Sequence, residues 1–130
     1  MIINSPEEMQ KYWKDLAKSH KVILLTGELW AGKTTLIKGF AEGIWINPEK
    51  IQSPTYAYVN IYDDLLLHID MYRLNTFNEL VEKGILNQIS EYEYIVIERI
   101  KREESLDLDN PLHINIKKIS AEKREVSEIP

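Results

Sequence analysis

Hydrophobic residues in the first third of the chain recur at spacings that predict a helix, a strand and a second helix. Ser5, Pro6 and Glu8 suit a helix start, with a capping serine, a proline in the first turn and a capping-box glutamate. Apolar residues then follow at helical spacing: Met9, Tyr12, Trp13, Leu16 and Ala17. The continuous apolar run at 22–26 ends at Gly27 and predicts a buried strand. Helical spacing resumes after Lys33: Leu36, Ile37, Phe40, Ala41 and Ile44.

The remaining pattern predicts mainly strands. Residues 55–62 and 65–70 flank the pair Asp63-Asp64, which predicts a β-hairpin. A short helix is expected at 77–83, ending before Gly84. A second continuous apolar run, 94–97, is closed by Glu98, and 113–119 alternates as a half-buried strand does. Residues 121–130 are polar, and we expect this tail to fray. The pattern indicates an α/β fold with a mixed sheet flanked by helices, in one domain over 1–130.

Composition narrows the function classes. The 130 residues are 44% hydrophobic, which suits one compact core. A net charge of -5 argues against a protein that binds nucleic acid without a partner. The absence of cysteine excludes disulfides, thiolate metal sites and cysteine nucleophiles. No signal peptide and no apolar stretch of about 20 residues is visible, so we expect a cytoplasmic protein without a membrane segment.

One loop carries a specific chemical signature. It fits the phosphate-loop pattern G-x-x-x-x-G-K-[ST], and a buried strand precedes it while an amphipathic helix follows. Backbone N–H groups and the helix N-terminus would hold the phosphates of ATP, Lys33 would reach the β- and γ-phosphates, and Thr34 would ligate Mg²⁺. Thr35 would cap the helix or touch the α-phosphate. The candidate nucleotide-binding residues are Gly27, Glu28, Leu29, Trp30, Ala31, Gly32, Lys33, Thr34 and Thr35.

Trp30 stands where such loops often carry glycine. Two interpretations stay open. The indole either flattens against the nucleotide or a partner, or it weakens nucleotide binding because a positive φ is costly for tryptophan. The alternative to the whole site is an ordinary strand-to-helix turn with a solvated lysine.

Two carboxylates follow predicted strands and complete the candidate site. Ligands of open α/β sheets bind at the carboxyl ends of strands. Glu98 is therefore the preferred Mg²⁺ anchor, and Asp70 a candidate for orienting water or supporting the metal. A solvent-facing acid is the alternative for each. Ser53 and Thr55 lie in a loop that is either a γ-phosphate sensor or a common turn. His68 shares a strand face with Asp70, and a structural role is favoured for it.

In their order and spacing, four segments of the sequence resemble the bacterial TsaE (YjeE) family. They are the phosphate loop, Ser53-Pro54-Thr55-Tyr56, the segment 68–74 (HIDMYRL) and Ile97-Glu98. The resemblance covers 5 to about 100. It implies a small ATPase of the tRNA threonylcarbamoyladenosine system that binds ATP and Mg²⁺ and works with TsaB and TsaD subunits, so that tRNA is met only indirectly. It implies Thr34 and Glu98 as Mg²⁺ ligands and Asp70 as a functional acid. The family usually carries tryptophan after the glutamate, whereas this chain has Arg99.

Two rival functions remain at this stage. A small-molecule kinase would need an acceptor pocket and a basic lid, and the chain offers only one dense basic stretch, 99–102. A non-catalytic nucleotide-sensing scaffold would follow if Trp30 abolished turnover. Calorimetry with nucleotides separates all three readings.

Overall fold

The computed structural model describes residues 1–27, 33–51, 59–71, 84–99 and 108–129. Its strands form one seven-stranded sheet in the order β1-β7-β6-β2-β5-β4-β3. The strands are β1 (Ile2–Ile3), β2 (Val22–Gly27), β3 (Val59–Tyr62), β4 (Leu66–Asp70), β5 (Tyr94–Glu98), β6 (Leu112–Lys118) and β7 (Arg124–Ile129). The helices are α1 (Pro6–Ala17), α2 (Lys33–Gly43) and α3 (Ile85–Ile89), with a 3₁₀ turn at Pro48–Lys50.

The centre of the sheet is parallel and its outer strands supply the antiparallel pairs. Strand β2 pairs in parallel with both β5 and β6, and β4 pairs in parallel with β5. Strands β3 and β7 run antiparallel to β4 and β6. The expected mixed sheet with a hairpin is confirmed. Because the central strands are parallel, their carboxyl ends meet at one edge, which is where a ligand site belongs.

The expectation that the tail frays is wrong. Residues Arg124–Ile129 form β7, which pairs with β6 over six positions and with β1 on its other side. Main-chain hydrogen bonds hold this strand, so it needs few apolar side chains. Val126 is its buried apolar contribution to the core, 3% exposed. Met1 both donates to and accepts from the Val126 main chain, at 3.0 and 2.8 Å.

Helices α1 and α2, both of which were predicted, cover one face of the sheet. Ser5 caps α1 by accepting from the Glu8 amide at 3.2 Å. The Glu8 carboxylate accepts in return from the Asn4 amide at 2.9 Å, one residue earlier than in the usual capping box. The large side chains Trp13 and Phe40 are fully buried between the two helices and the sheet.

The hairpin between β3 and β4 confirms the predicted turn. Asp63 and Asp64 have φ values of 55° and 51°. Two consecutive positive values are the signature of a type I′ turn, whose twist matches that of the strands. Residues 55–58, and the helix predicted at 77–83, lie outside the described residues. Gly84, expected to end that helix, has φ 69° and immediately precedes α3, which the sequence pattern did not predict.

Within the described ranges, no helix is both long and apolar enough to cross a lipid bilayer.

Candidate functional site

The site is built at the carboxyl end of β2, where the chain must turn toward α2. Gly27, the last residue of β2, has φ 101°. A Cβ placed on it would overlap the Ile116 carbonyl oxygen of neighbouring β6 and lie 2.9 Å from Asn115 Oδ1. Only glycine therefore fits this position, for reasons of both conformation and space. The Thr26 hydroxyl donates to Asn115 Oδ1 at 3.1 Å, which fixes the strand end beside β6.

Helix α2 begins at Lys33, as the phosphate-loop pattern predicts. Its first N–H groups have no partner within the helix, so this terminus can bind an anion. Thr35 is half-buried in the first turn. The interior of the loop, Glu28, Leu29, Trp30, Ala31 and Gly32, lies outside the described residues, and so do the side chains of Lys33 and Thr34. The two interpretations of Trp30 therefore stay open.

Both candidate carboxylates lie at this same edge. Asp70 and Glu98 are register partners, each the last residue of its parallel strand. Glu98 also stands opposite Leu25 of β2, two residues before Gly27. The register thus brings together three features that are far apart in the sequence: the two acids and the start of the predicted phosphate loop.

Glu98 does not face solvent. Its carboxylate is fully buried, and Oε2 lies 3.0 Å from Nε2 of His68, whose side chain is 3% exposed. The alternative reading of a solvent-facing strand-end acid is wrong for Glu98. His68 and Asp70 alternate along β4, so both point to the face that α1 and α2 cover. Sequence reasoning placed those two side chains together but missed the His68–Glu98 contact.

The main chain around Glu98 is tied to the strands on both sides. Its carbonyl oxygen accepts from the Met71 amide at 3.0 Å, beyond the end of β4. The next amide, of Arg99, donates to the Leu25 carbonyl of β2 at 2.8 Å. Arg99 has φ 59°, a left-handed conformation that is uncommon for arginine. This sharp turn ends β5 immediately after the acid and fixes where the carboxylate stands.

A small cavity lies beside the first turn of α2. It measures about 220 Å³ and is lined by Ser5, Pro6, Met9, Thr35, Ala121, Glu122 and Arg124. The Arg124 guanidinium shapes its wall by donating to three carbonyl oxygens of the β6–β7 turn, of which Ser120 is the nearest at 2.8 Å. The cavity is mainly apolar and lies at the N-terminal end of α2, the helix that follows the predicted phosphate loop in the sequence.

A larger cavity, of about 470 Å³, includes Lys21, Val22 and Glu93 in its lining. Those residues stand at the amino ends of β2 and β5, the edge opposite the two acids. The smaller cavity lies at the carboxyl edge, where ligands of open α/β sheets bind.

The described residues hold no cluster of three or more His, Cys, Asp and Glu side chains that could bind a metal without help. The Thr34 and Glu98 assignment supposes one hydroxyl and one carboxylate ligand for a metal here. The switch-like residues Ser53 and Thr55 lie outside the described residues.

The central strands of the sheet are parallel, β2 ends in a glycine before the helix α2, and the neighbouring strands end in acids. These features define an α/β protein of the P-loop NTPase type. The family model "Threonylcarbamoyl adenosine biosynthesis protein TsaE" matches residues 3–126. The chain belongs to the TsaE family, whose role is in tRNA threonylcarbamoyladenosine biosynthesis.

Individual relatives agree with the family match. The tRNA threonylcarbamoyladenosine biosynthesis protein TsaE of Bacillus subtilis is 33% identical over 136 residues, covering 95% of this chain and 80% of its own. The protein of the same name from Aquifex aeolicus is 39% identical over 95 residues, covering 66% of this chain and 71% of its own. A crystal structure of Bacillus subtilis YdiB superposes with a TM-score of 0.68 at 30% identity, over 98% of this chain and 82% of that one.

Proposed function

We propose that this protein binds Mg²⁺-ATP at the carboxyl edge of the sheet and hydrolyses it, slowly or under the control of TsaB- and TsaD-type partners, in tRNA threonylcarbamoyladenosine modification. One observation carries the proposal. The parallel register sets Asp70 and Glu98 side by side next to the strand that ends at Gly27. Membership of the TsaE family supports the role in tRNA modification. The arrangement of the strand ends supports a nucleotide as the ligand.

The phosphates are held by the chain between Gly27 and α2. The glycine lets the backbone leave β2 against β6, where a side chain would collide. The N-terminus of α2 then contributes N–H donors and a partial positive charge. Lys33 adds a full charge toward the β- and γ-phosphates.

Thr34 and Glu98 would hold Mg²⁺, the threonine through its hydroxyl and the glutamate directly or through water. Mg²⁺, when bound, neutralises charge on the transferring phosphate. Asp70 stands next to Glu98 and would orient the attacking water. An arginine supplied by a partner could add charge stabilisation to the transferring phosphate, which accords with partner-controlled turnover.

The cavity beside Thr35 would take the base of the nucleotide. Its lining is mainly apolar, as suits a planar ring, and its polar groups come from Ser5, Thr35, Glu122 and Arg124. Thr35 connects this cavity with the phosphate loop, because it follows Lys33 and Thr34 in the first turn of α2.

Replacement of Lys33 tests the nucleotide site. In Lys33→Ala we expect calorimetry to show weakened Mg²⁺-ATP binding and turnover to be lost, because the charge that meets the outer phosphates is gone. Lys11→Ala, on the exposed side of α1, is the matched control and should bind as the parent does. Retained ATPase rates in Lys33→Ala would contradict the assignment. The absence of heat with any nucleotide in the parent protein would remove the function itself.

Replacement of Glu98 tests the metal role. Glu98→Ala should lower Mg²⁺-dependent turnover more than nucleotide binding in EDTA, since the acid acts through the metal. The control Glu91→Ala removes an exposed glutamate from the turn after α3. Equal loss of both properties would show that Glu98 is misassigned. ATP binding without turnover, even with the partner subunits, would indicate a nucleotide-sensing scaffold. Turnover that requires a small metabolite would indicate a kinase.

A further inference from the structure

A buried polar pair stands behind the metal-side acid. Glu98 is 0% exposed and His68 is 2% exposed, and both lie on strands whose other buried residues are apolar. Burial of a polar side chain is costly unless it makes a hydrogen bond. Their contact of 3.0 Å, Nε2 to Oε2, is that hydrogen bond.

The direction of this hydrogen bond follows from chemistry. A glutamate that serves a cation is ionised, and an ionised carboxylate only accepts hydrogen bonds. With Glu98 ionised, Nε2 of His68 is the donor of this hydrogen bond and Oε2 is the acceptor. No hydrogen-bond partner for Nδ1 of His68 occurs among the described residues. The contact with Glu98 is thus the polar interaction that the structure shows for this imidazole.

The hydrogen bond fixes the carboxylate without using up its capacity. An ionised carboxylate offers about four lone-pair sites, so one donated hydrogen bond is compatible with a cation ligand or a bridging water. His68 itself is two residues back from the strand end, inside β4, where Leu67 and Ile69 on either side pack into the opposite face. A rigid strand therefore sets the position of the donor nitrogen.

We propose that His68 is a positioning residue of the nucleotide site: its Nε2–H holds the Glu98 carboxylate in the orientation that Mg²⁺ requires. The inference rests on the proposed function, because it supposes that Glu98 serves Mg²⁺. Partners that orient metal ligands change metal affinity by about 10- to 100-fold when they are removed.

The test compares the affinity for ATP in the presence of Mg²⁺ with that in EDTA, measured by calorimetry on the full chain. The ratio of the two affinities is the gain due to the metal. His68→Leu removes the donor at similar volume, and we expect this gain to fall by about 10-fold or more while the affinity in EDTA stays unchanged. His68→Gln, whose Nε2 amide reaches toward the same place, should keep most of the gain. His68→Asn, whose amide stops short at the Nδ1 position, should lose it.

Stability is followed in the same variants by urea unfolding. Ile69→Val is the matched control: it trims the neighbouring buried residue on the opposite face of β4, so it should lower the urea midpoint and leave the Mg²⁺ gain unchanged. The comparison of Gln with Asn keeps the test valid if His68→Leu does not fold, because both replacements are polar.

Three results would overturn the inference: an unchanged Mg²⁺ gain in the leucine and asparagine variants, an equal loss of affinity with and without Mg²⁺, or a glutamine variant no better than asparagine. These differ from a failure of the proposed function. If the parent protein showed no Mg²⁺-dependent gain in ATP affinity, the assignment of Glu98 to the metal would fail first.

Discussion

At the scale of single residues, Trp45 has a backbone conformation that disfavours tryptophan and a side chain that is not packed. It has φ 68° and its side chain is 96% exposed. The Ile46 amide donates to the Ala41 carbonyl at 2.9 Å and the Trp45 amide to the Glu42 carbonyl at 3.2 Å. These two hydrogen bonds form a Schellman motif, whose left-handed residue is usually glycine. Tryptophan at this position strains the backbone, and its exposed side chain contributes no packing that would offset the strain.

Trp45→Gly should therefore stabilise the protein. The left-handed conformation costs a non-glycine residue about 1–2 kcal/mol, and the extra freedom of glycine in the unfolded chain offsets about 0.5–1 kcal/mol of that. We expect a net increase in the free energy of unfolding, measured by urea denaturation. Trp45→Ala keeps the strained backbone and removes only the indole, so it should show no such increase. An equal effect of both substitutions would refute the backbone explanation.

Some features of the candidate site could be predicted from the sequence, and others could not. Asp70 and Glu98 could be chosen from the sequence because each ends a strongly apolar run. Their adjacency, and the contact of His68 with Glu98, depend on β4 and β5 being parallel neighbours in a particular register. No local pattern encodes that register. Asn115, which supports the turn at Gly27, was missed for the same reason.

At the scale of elements, α1 and α2 pack against each other with little space between their backbones. A Cβ on Gly39 would overlap the Gln10 carbonyl oxygen and lie 3.0 Å from the Trp13 Cβ. A Cβ on Gly43, one turn later, would likewise overlap the Lys14 carbonyl oxygen. The two glycines make a flat stripe that lets the helix axes approach closely and lets Trp13 meet Phe40 edge to face at 6.4 Å.

Gly39→Ala should destabilise the protein although alanine is the better helix former. Overpacking typically costs 1–3 kcal/mol, against roughly 1 kcal/mol gained in helix propensity. We expect a net loss in the free energy of unfolding on chemical denaturation. Lys38→Ala, the preceding position on the same helix, should change stability by about 0.5 kcal/mol or less. Stabilisation by Gly39→Ala would mean that the helices can separate without loss.

The elements that sequence reasoning missed share a physical cause. Strand β1 has two residues and α3 has five, too few for a period to show. Strand β7 reads as polar because Glu125, Ser127 and Glu128 alternate with few apolar residues. Its pairing with β6 and β1 is stabilised mainly by the backbone, which carries no sequence signal. Long periodic elements such as α1 and β2 were predictable because burial itself selects their side chains.

At the scale of the whole molecule, the first helix and the last strand hold each other in place. The Tyr12 hydroxyl lies 3.4 Å from Glu128 Oε1, a contact between residues 116 positions apart. Burial, together with the nearby negative charge of Glu128, raises the pKa of Tyr12 to about 12. The protonated phenol is thus favoured in the folded protein relative to the unfolded chain.

This raised pKa predicts a loss of stability in alkali. The contribution of Tyr12 is fully present below the ordinary tyrosine value of 10.0 and is lost as the pH rises toward about 12. Between these limits the parent protein should lose free energy of unfolding relative to Tyr12→Phe, which cannot ionise. Urea unfolding of both proteins at pH 9 and at a pH between 10 and 12 measures the difference. Parallel curves across that interval would show that Tyr12 titrates normally.

The two main-chain hydrogen bonds around Glu98 carry a practical consequence. The Met71 amide donates to the Glu98 carbonyl, and the Arg99 amide donates to the Leu25 carbonyl of β2, the strand that ends at Gly27. A shift of the main chain at Glu98 must lengthen or shorten one of them. Their two amide resonances are accordingly built-in reporters, through which nuclear magnetic resonance could follow occupancy of the site without an attached probe or a catalytic assay.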